Sequence, residues 1–461
     1  MVLMPTTDRN NNLIMDKISS ALAKTRDTKF LLLEEGAVSK TGECFARLFP
    51  GKAAIIVADV NTWMVAGVRV ARSLEQAGTE TEDPFIFTDP DLYAEWAFVQ
   101  MLKERLSSVD AIAVAVGSGV INDLTKYVSF LLGRKYMCVG TAASMDGYTA
   151  YGASISKDGN KQAFDCPAPY AFIMDPEIAA AAPKELAASG YADLIAKIPA
   201  GADWLLADAM GAEPLDPFSW SLVQDGLKET LSDPVAVHEG DVQKTKVLSE
   251  GLLMSGFAMQ ALMSSRPASG TEHQFSHFWD MENLCTPDGK HVSHGFKVGI
   301  GTITSTVSIE LILEQEIDKI DPEKIADATW RPWEEVEAGI RDLCADHPLH
   351  LARCLKETRG KFIGKEELVK RLSALKSSWP ALREKVRAQI IPSAVVQENL
   401  RLAGAPYVPE MIGITRERLR RTTAFIPYMR SRVANIDVIT YLGLMGRLEE
   451  RLFGKGGIWE I

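Results

Sequence analysis

Through about residue 185, short apolar runs alternate with stretches whose apolar positions recur at helical spacing; beyond it the β-type runs stop and helical periodicity continues. Residues 29–33, 53–58, 84–88, 111–116 and 136–139 read as strands. Residues 63–76 read as a helix between the second and third, with Val65, Val68, Val70 and Leu74 on its apolar positions. Strand, helix and strand in this order make a βαβ unit, and its repetition predicts an α/β domain with a parallel sheet. Pro183 stands where the first helix of a second, helical domain would open. The expected division is therefore residues 1–185, a nucleotide-binding α/β domain, and 186–461, an all-α domain. Residues 313–400 are strongly charged, and EEVEAGIRDL and KEELVKRLSALK within them read as solvated helices around a modest apolar stripe.

Length agrees with this division, since 461 residues exceed one ordinary core. A formal charge of −11 argues against a large nucleic-acid surface, because phosphate backbones reward clustered Lys and Arg. The six cysteines, Cys44, Cys138, Cys166, Cys285, Cys344 and Cys354, show no CxxC spacing, which suits reduced thiols better than a disulfide framework. The opening MVLMPTTDRNNNLIMDK has no basic segment followed by an apolar core, and no apolar run reads as long enough to span a bilayer. The expectation is a cytoplasmic protein without nucleic-acid or membrane partners.

Candidate chemistry begins where AIAVAV runs into Gly117, Ser118 and Gly119 and VINDLTKYVSFLL continues as a helix. Glycines allow backbone to approach a diphosphate, and the helix start offers amide N–H groups at the positive end of the dipole. A strand-to-helix turn without any ligand explains the turn alone equally well. It is not the GxGxxG fingerprint, which needs a third glycine where Asn122 stands. Asp59 ends the strand AAIIVAD, a position from which a carboxylate accepts hydrogen bonds from an adenosine ribose. After the next strand, Thr141, Ala142, Ala143 and Ser144 form a small, hydroxyl-bearing loop before the turn at Asp146 and Gly147.

His273 and His277, four residues apart, share one face of a helix, and His294 follows beside glycines. Asp193 lies on an otherwise apolar helical face, one turn before Lys197. Such a carboxylate needs a partner or a metal. Two imidazoles and a carboxylate make a three-ligand site with an open position. An ion pair between Asp193 and Lys197, with histidines that only hydrogen-bond within helices, is the competing reading.

GSGVINDLTKY, TAASMDGYTAYGAS, ASGYADLIAK, SGTEHQFSHFWD and SHGFKVGIGT together resemble the glycerol-1-phosphate dehydrogenases, especially their bacterial branch, within the iron-containing alcohol dehydrogenase and dehydroquinate synthase superfamily. The resemblance covers roughly residues 30–310. It implies a Rossmann-like parallel-sheet domain followed by an all-α domain, and a homodimer. It implies that Asp59, Gly117, Ser118, Gly119, Val120, Ile121, Asn122 and Asp123, with Thr141, Ala142, Ser144 and the position of Ala150, hold NAD(P). Asp193, His273 and His294 would hold one divalent ion, zinc or nickel. Asp146, Asp193 and His277 would meet the substrate; in the mechanism that follows from such a site, His277 or a bound water relays the hydroxyl proton. Lys197, Arg266 and Lys297 are candidates for a substrate phosphate because they stand near these motifs. The family's pattern has a serine where Ala150 stands, and Tyr148, Thr149 and Tyr151 are departures that bear on the substrate. The reaction implied interconverts dihydroxyacetone phosphate and sn-glycerol 1-phosphate. A glycerol dehydrogenase, a dehydroquinate-synthase-like cyclase and a non-catalytic binder on the same fold are the rivals.

Overall fold

A computed structural model describes residues 17–157, 160–286 and 288–461. Most of the opening segment read above for a leader lies outside them. The chain forms two compact units, residues 1–194 with 218–265, and residues 195–217 with 266–461. The single cut expected near 185 is thus replaced by an interleaved path.

In the first unit, β1 (Phe30–Leu33), β2 (Ala53–Asp59), β3 (Phe85–Phe87), β4 (Ala111–Gly117), β5 (Tyr136–Gly140) and β8 (Ala171–Met174) build a six-stranded sheet. Its order is β1-β8-β5-β4-β2-β3, and every pairing is parallel. Alternation places Ile55, Val57, Ala113, Ala115, Cys138 and Phe172 in one core layer, and Ile56, Val114, Val116, Val139 and Ile173 in the other. Both faces are covered, as parallel sheets require. The five strands read from the sequence are present with ends shifted by about a residue. The reading missed β8, a four-residue run without polar alternation, and the antiparallel hairpin of β6 (Ala153–Lys157) and β7 (Asn160–Phe164).

The helix read at 63–76 is a π turn over Trp63–Gly67 followed by α1 (Val68–Gln76). Its buried positions are Ala66, Gly67, Val70, Ser73 and Leu74, while Val65 and Val68 are 53% and 39% exposed. The extra residue of the π turn rotates the apolar face away from the register expected of a plain 3.6-residue helix.

Pro183 directly precedes α2 (Lys184–Ile195), but α2 up to Leu194 belongs to the sheet unit. So does α3 (Val242–Leu262), whose Leu253, Met254, Phe257 and Ala258 join the core beneath the sheet. That burial is the physical reason the boundary differs from the one expected. On α3, burial pushes the half-buried Glu250 carboxyl up to about 7 against the weaker pull of Lys246. Because the folded value is raised, the neutral acid is favoured on folding, and this stability is lost as pH rises through about 7. Glu250→Gln is therefore expected to stabilise the protein by about 1–2 kcal/mol at pH 8, allowing for solvent screening, and by nothing measurable near pH 4.5. Melting curves at the two pH values check this, and an equal shift at both would contradict it.

The second unit is helical throughout its described residues apart from a single bridge between Cys285 and His291. Its α4 (Lys197–Ala209), α5 (Thr271–Met281) and α6 (His294–Leu313) are largely buried. The sequence reading found no apolar run of membrane-spanning length; α6 passes that test by length and composition, yet 89% of its most apolar window is buried inside the protein. It is a core helix. The charged region contains α7 (Pro348–Lys361) and α8 (Lys365–Gln389). In α8, Leu368, Leu372, Leu375, Trp379, Leu382 and Val386 form the expected apolar stripe, which packs on α4. All six cysteines are free thiols.

Candidate active site

In the sheet unit, β2, β4 and β5 are neighbours whose carboxyl ends carry Asp59, Gly117 and Gly140. The strand order changes direction between β2 and β4, the switch point at which open α/β sheets bind ligands. A Cβ on Gly117 would lie 2.6 Å from the Cβ of Ile121, so glycine there lets the next helix, Gly119–Leu131, start tight against the sheet. Ser118 is its N-cap but makes no side-chain cap bond. The opening amides of Gly119, Val120 and Ile121 thus face the strand ends without an intrahelical acceptor.

Not every residue of this turn points toward a cofactor. Ile121 is in the core, and the fully buried Asn122 accepts a hydrogen bond from Tyr136 Oη at 2.9 Å. Asp123 accepts from the Ser154 amide at 3.1 Å, tying the hairpin to the sheet unit. Any contact of Ile121 or Asn122 with a nucleotide would be made by backbone. Asp59 caps the short helix after β2, with Oδ1 accepting from the Thr62 amide and Thr62 Oγ1 accepting from the Asp59 amide.

The loop after β5 is held from three sides. Tyr148 Oη donates to the Ala142 carbonyl at 2.9 Å, so this tyrosine props the Thr141–Ala142–Ser144 loop from beneath. Thr149 Oγ1 donates to the Leu253 carbonyl at 2.8 Å, so its hydroxyl does not replace the serine absent at Ala150. The buried Lys126 ammonium donates to the carbonyls of Gly147, Ala150 and Gly152 at 2.8, 3.1 and 3.0 Å. Asp146 accepts from Ser255 Oγ at 2.8 Å, and its own amide donates to Asp193 Oδ2 at 3.0 Å. Asp193 is completely buried on the last turn of α2.

In the helical unit, His273 and His277 on α5 have ring centroids 6.5 Å apart, and His273 and His294 are closer, at 5.3 Å. His273 Nδ1 lies 2.8 Å from Glu272 Oε1, and His294 Nδ1 lies 3.3 Å from Ser276 Oγ. A proton on Nδ1 shared with such a partner puts the ring lone pair on Nε2, the arrangement of a metal-ligating imidazole. Burial, with the positive charges of Arg430 and Arg353, holds the His277 imidazole well below its ordinary value, so it is neutral around pH 7.

Beneath these rings lies a buried charge cluster that sequence reasoning missed. Asp203 accepts from the amides of Thr271 and Asn435 at 2.7 and 2.8 Å, and Glu272 accepts from the Gly270 amide at 2.6 Å. Burial and the neighbouring carboxylate push the Asp203 carboxyl up. Two phosphate candidates are consumed here. Arg266 is fully buried, donating to the Asp203 and Val433 carbonyls and pairing with Glu213 at 3.3 Å. Lys297 is paired with Asp280. Both are corrected to internal ion-pair residues. Lys197 is completely buried at the start of α4, in the field of Glu272, a placement that suits holding this cluster together.

Residues 32–183 match the model of the family described as iron-containing alcohol dehydrogenase. A glycerol-1-phosphate dehydrogenase [NAD(P)+] of Geobacillus stearothermophilus is 32% identical over 298 residues, which are 64% of this chain and 73% of that protein. The chain belongs to the glycerol-1-phosphate dehydrogenase family. Proteins of the same name from Bacillus subtilis, 33% identical over 55% of this chain and 64% of their own, and Methanosarcina mazei, 33% identical over 59% and 74%, extend the kinship. The match thus spans just under two thirds of the Bacillus subtilis protein. Among solved structures, a sulfoacetaldehyde reductase from Bifidobacterium kashiwanohense in complex with NAD+ aligns at a TM-score of 0.58 with 13% identity, covering 92% of this chain and 97% of that one. A probable glycerol dehydrogenase from Sinorhizobium meliloti aligns at 0.57 with 14% identity, covering 92% and 97%. At these identities they establish the family's fold for this chain.

Proposed function

We propose that this chain is a metal-dependent NAD(P)-linked dehydrogenase interconverting dihydroxyacetone phosphate and sn-glycerol 1-phosphate. The observation that carries the proposal is the agreement between the relatives' shared name and a pair of imidazoles, His273 and His294, each oriented through Nδ1 for ligation. Asp193, buried and already bound by the Asp146 amide, is the proposed carboxylate ligand. Two imidazoles and a carboxylate suit a divalent ion of the zinc or nickel type.

When bound, the ion supplies Lewis-acid polarisation of the substrate's C2 oxygen and the nicotinamide supplies the redox chemistry. The protein's part is positioning. The amides of Gly119, Val120 and Ile121 hold the cofactor diphosphate, Asp59 keeps its Oδ2 for a ribose hydroxyl, and the loop of Thr141, Ala142 and Ser144 supports the ring. Asp146 fixes the substrate's hydroxyl end. Neutral His277 accepts the hydroxyl proton during oxidation and returns it during reduction.

The test follows NADH and NADPH oxidation by metal-stripped protein given Zn²⁺ or Ni²⁺, with dihydroxyacetone phosphate or dihydroxyacetone. Metal-dependent turnover favouring the phosphorylated ketone, with a product of sn-glycerol 1-phosphate chirality, is expected. Equal rates with both ketones would transfer the assignment to a glycerol dehydrogenase, and no net oxidation with either would remove the dehydrogenase reading.

A further inference from the structure

The helix Gly119–Leu131 does more than begin beside the strand ends. Gly119, Asp123 and Lys126 follow i, i+4, i+7 spacing and so share one of its faces. A Cβ on Gly119 would lie 3.0 Å from Met145 Cε, Lys126 Nζ donates to the carbonyls of Gly147, Ala150 and Gly152, and Asp123 Oδ2 accepts from the Ser154 amide. One helix face therefore meets the chain from Met145 to Ser154, the segment that carries Asp146.

Lys126 is the centre of that contact. It is 1% exposed, and an isolated ammonium is costly to bury. Its three N–H donors match carbonyl oxygens at 2.8, 3.1 and 3.0 Å, and Asp123 Oδ1 at 3.7 Å balances its charge from one turn back. Converging carbonyls with a carboxylate beside them make the ligand set of a monovalent cation; here a side chain supplies the cation. Without it these carbonyl dipoles would converge on an empty, buried point, each a polar group deprived of its partner.

We infer that Lys126 is a positioning residue for the reaction: its ammonium stands in for a bound monovalent cation, fixes the path of residues 147–152, and so sets Asp146 relative to the diphosphate-binding amides of the same helix. The inference rests on the proposed activity for the role of Asp146, and on the sheet unit alone for the cation cradle.

Truncation to alanine removes the equivalent of n-propylammonium and leaves the cradle open to it. In metal-loaded Lys126→Ala, kcat/KM for dihydroxyacetone phosphate is expected to fall about 100-fold, the scale of a group displaced by about 1 Å, while the Kd for NADH changes less than about threefold because the helix amides stay in place. n-Propylammonium chloride should restore activity saturably and at least about tenfold, where sodium chloride at equal ionic strength does not. Lys126→Met keeps the packing but leaves neither donors nor room, so the same loss without any response to the amine is expected. Wild-type kcat/KM in Lys126→Met would overturn the assignment, as would a loss in folded Lys126→Ala that the amine restores no better than sodium chloride does. Melting curves read the cradle without turnover: the amine is expected to raise the Tm of Lys126→Ala by several degrees and to leave the wild type and Lys126→Met unmoved. Should the wild type reduce neither ketone, the proposed function fails, and the amine-dependent Tm then decides the cradle, an unshifted Tm in Lys126→Ala removing it.

Discussion

Replacing His273 with alanine is expected to lower kcat/KM at least about 10³-fold, some 4 kcal/mol of transition-state stabilisation, while NAD(H) binding survives. The reasoning starts from the ring's surroundings. Glu272 Oε1 fixes Nδ1 and so orients Nε2, and His294 lies on the neighbouring helix with its own Nδ1 beside Ser276. If both rings ligate one ion, losing either leaves too few donors for tight binding at neutral pH. Elemental analysis after desalting should show less than a tenth of an equivalent of metal in His273→Ala or His294→Ala where the wild type keeps about one. Glu272→Gln is expected to be milder, at about 10- to 100-fold in metal affinity, because it disturbs the orientation of a ligand and not the ligand itself. A His273→Ala protein that retains stoichiometric metal and full turnover would remove the site.

The second large effect needs no metal. Gly190 lies in α2, and a Cβ there would stand 2.0 Å from the Ala143 carbonyl oxygen and 2.9 Å from its carbon. Both belong to the backbone of the loop after β5, so no rotamer change relieves the clash. Alanine would gain about 1 kcal/mol of helix propensity. Against that stands an overpacking cost of about 3 kcal/mol or more, since helix and loop must separate. Gly190→Ala should therefore lose roughly 2 kcal/mol or more, a fall in Tm of several degrees. The displaced loop contains Thr141, Ala142 and Ser144, so NADH affinity should fall with it, read by quenching of protein fluorescence. An unchanged melting temperature would show that the helix and loop are not in the contact described.

What the sequence discloses divides by range. Strands β2, β4 and β5 were legible because each is a run of apolar residues bounded by turn residues. β8 was not, since a four-residue run inserted between β1 and β5 carries no periodicity of its own. The histidine pair was visible because four-residue spacing on a helix is local information. The fates of Arg266 and Lys297 were invisible for the converse reason: Glu213 is 53 residues from the former and Asp280 is 17 from the latter. Asp59 was legible as a strand-end carboxylate but not as a helix cap, although Thr62 three residues on is the signal that identifies one.

The interleaved path has a consequence for synthesis. Residues 195–217 leave the ribosome before residues 218–265, yet the earlier segment belongs with residues 266–461 and the later one completes the sheet unit. Until Leu253, Met254, Phe257 and Ala258 have emerged, the nascent sheet lacks part of its lower layer. A nascent chain halted near residue 200, or a fragment cut there, should therefore expose apolar surface and aggregate, and protection from protease should appear in arrested chains only once about residue 265 has cleared the exit tunnel.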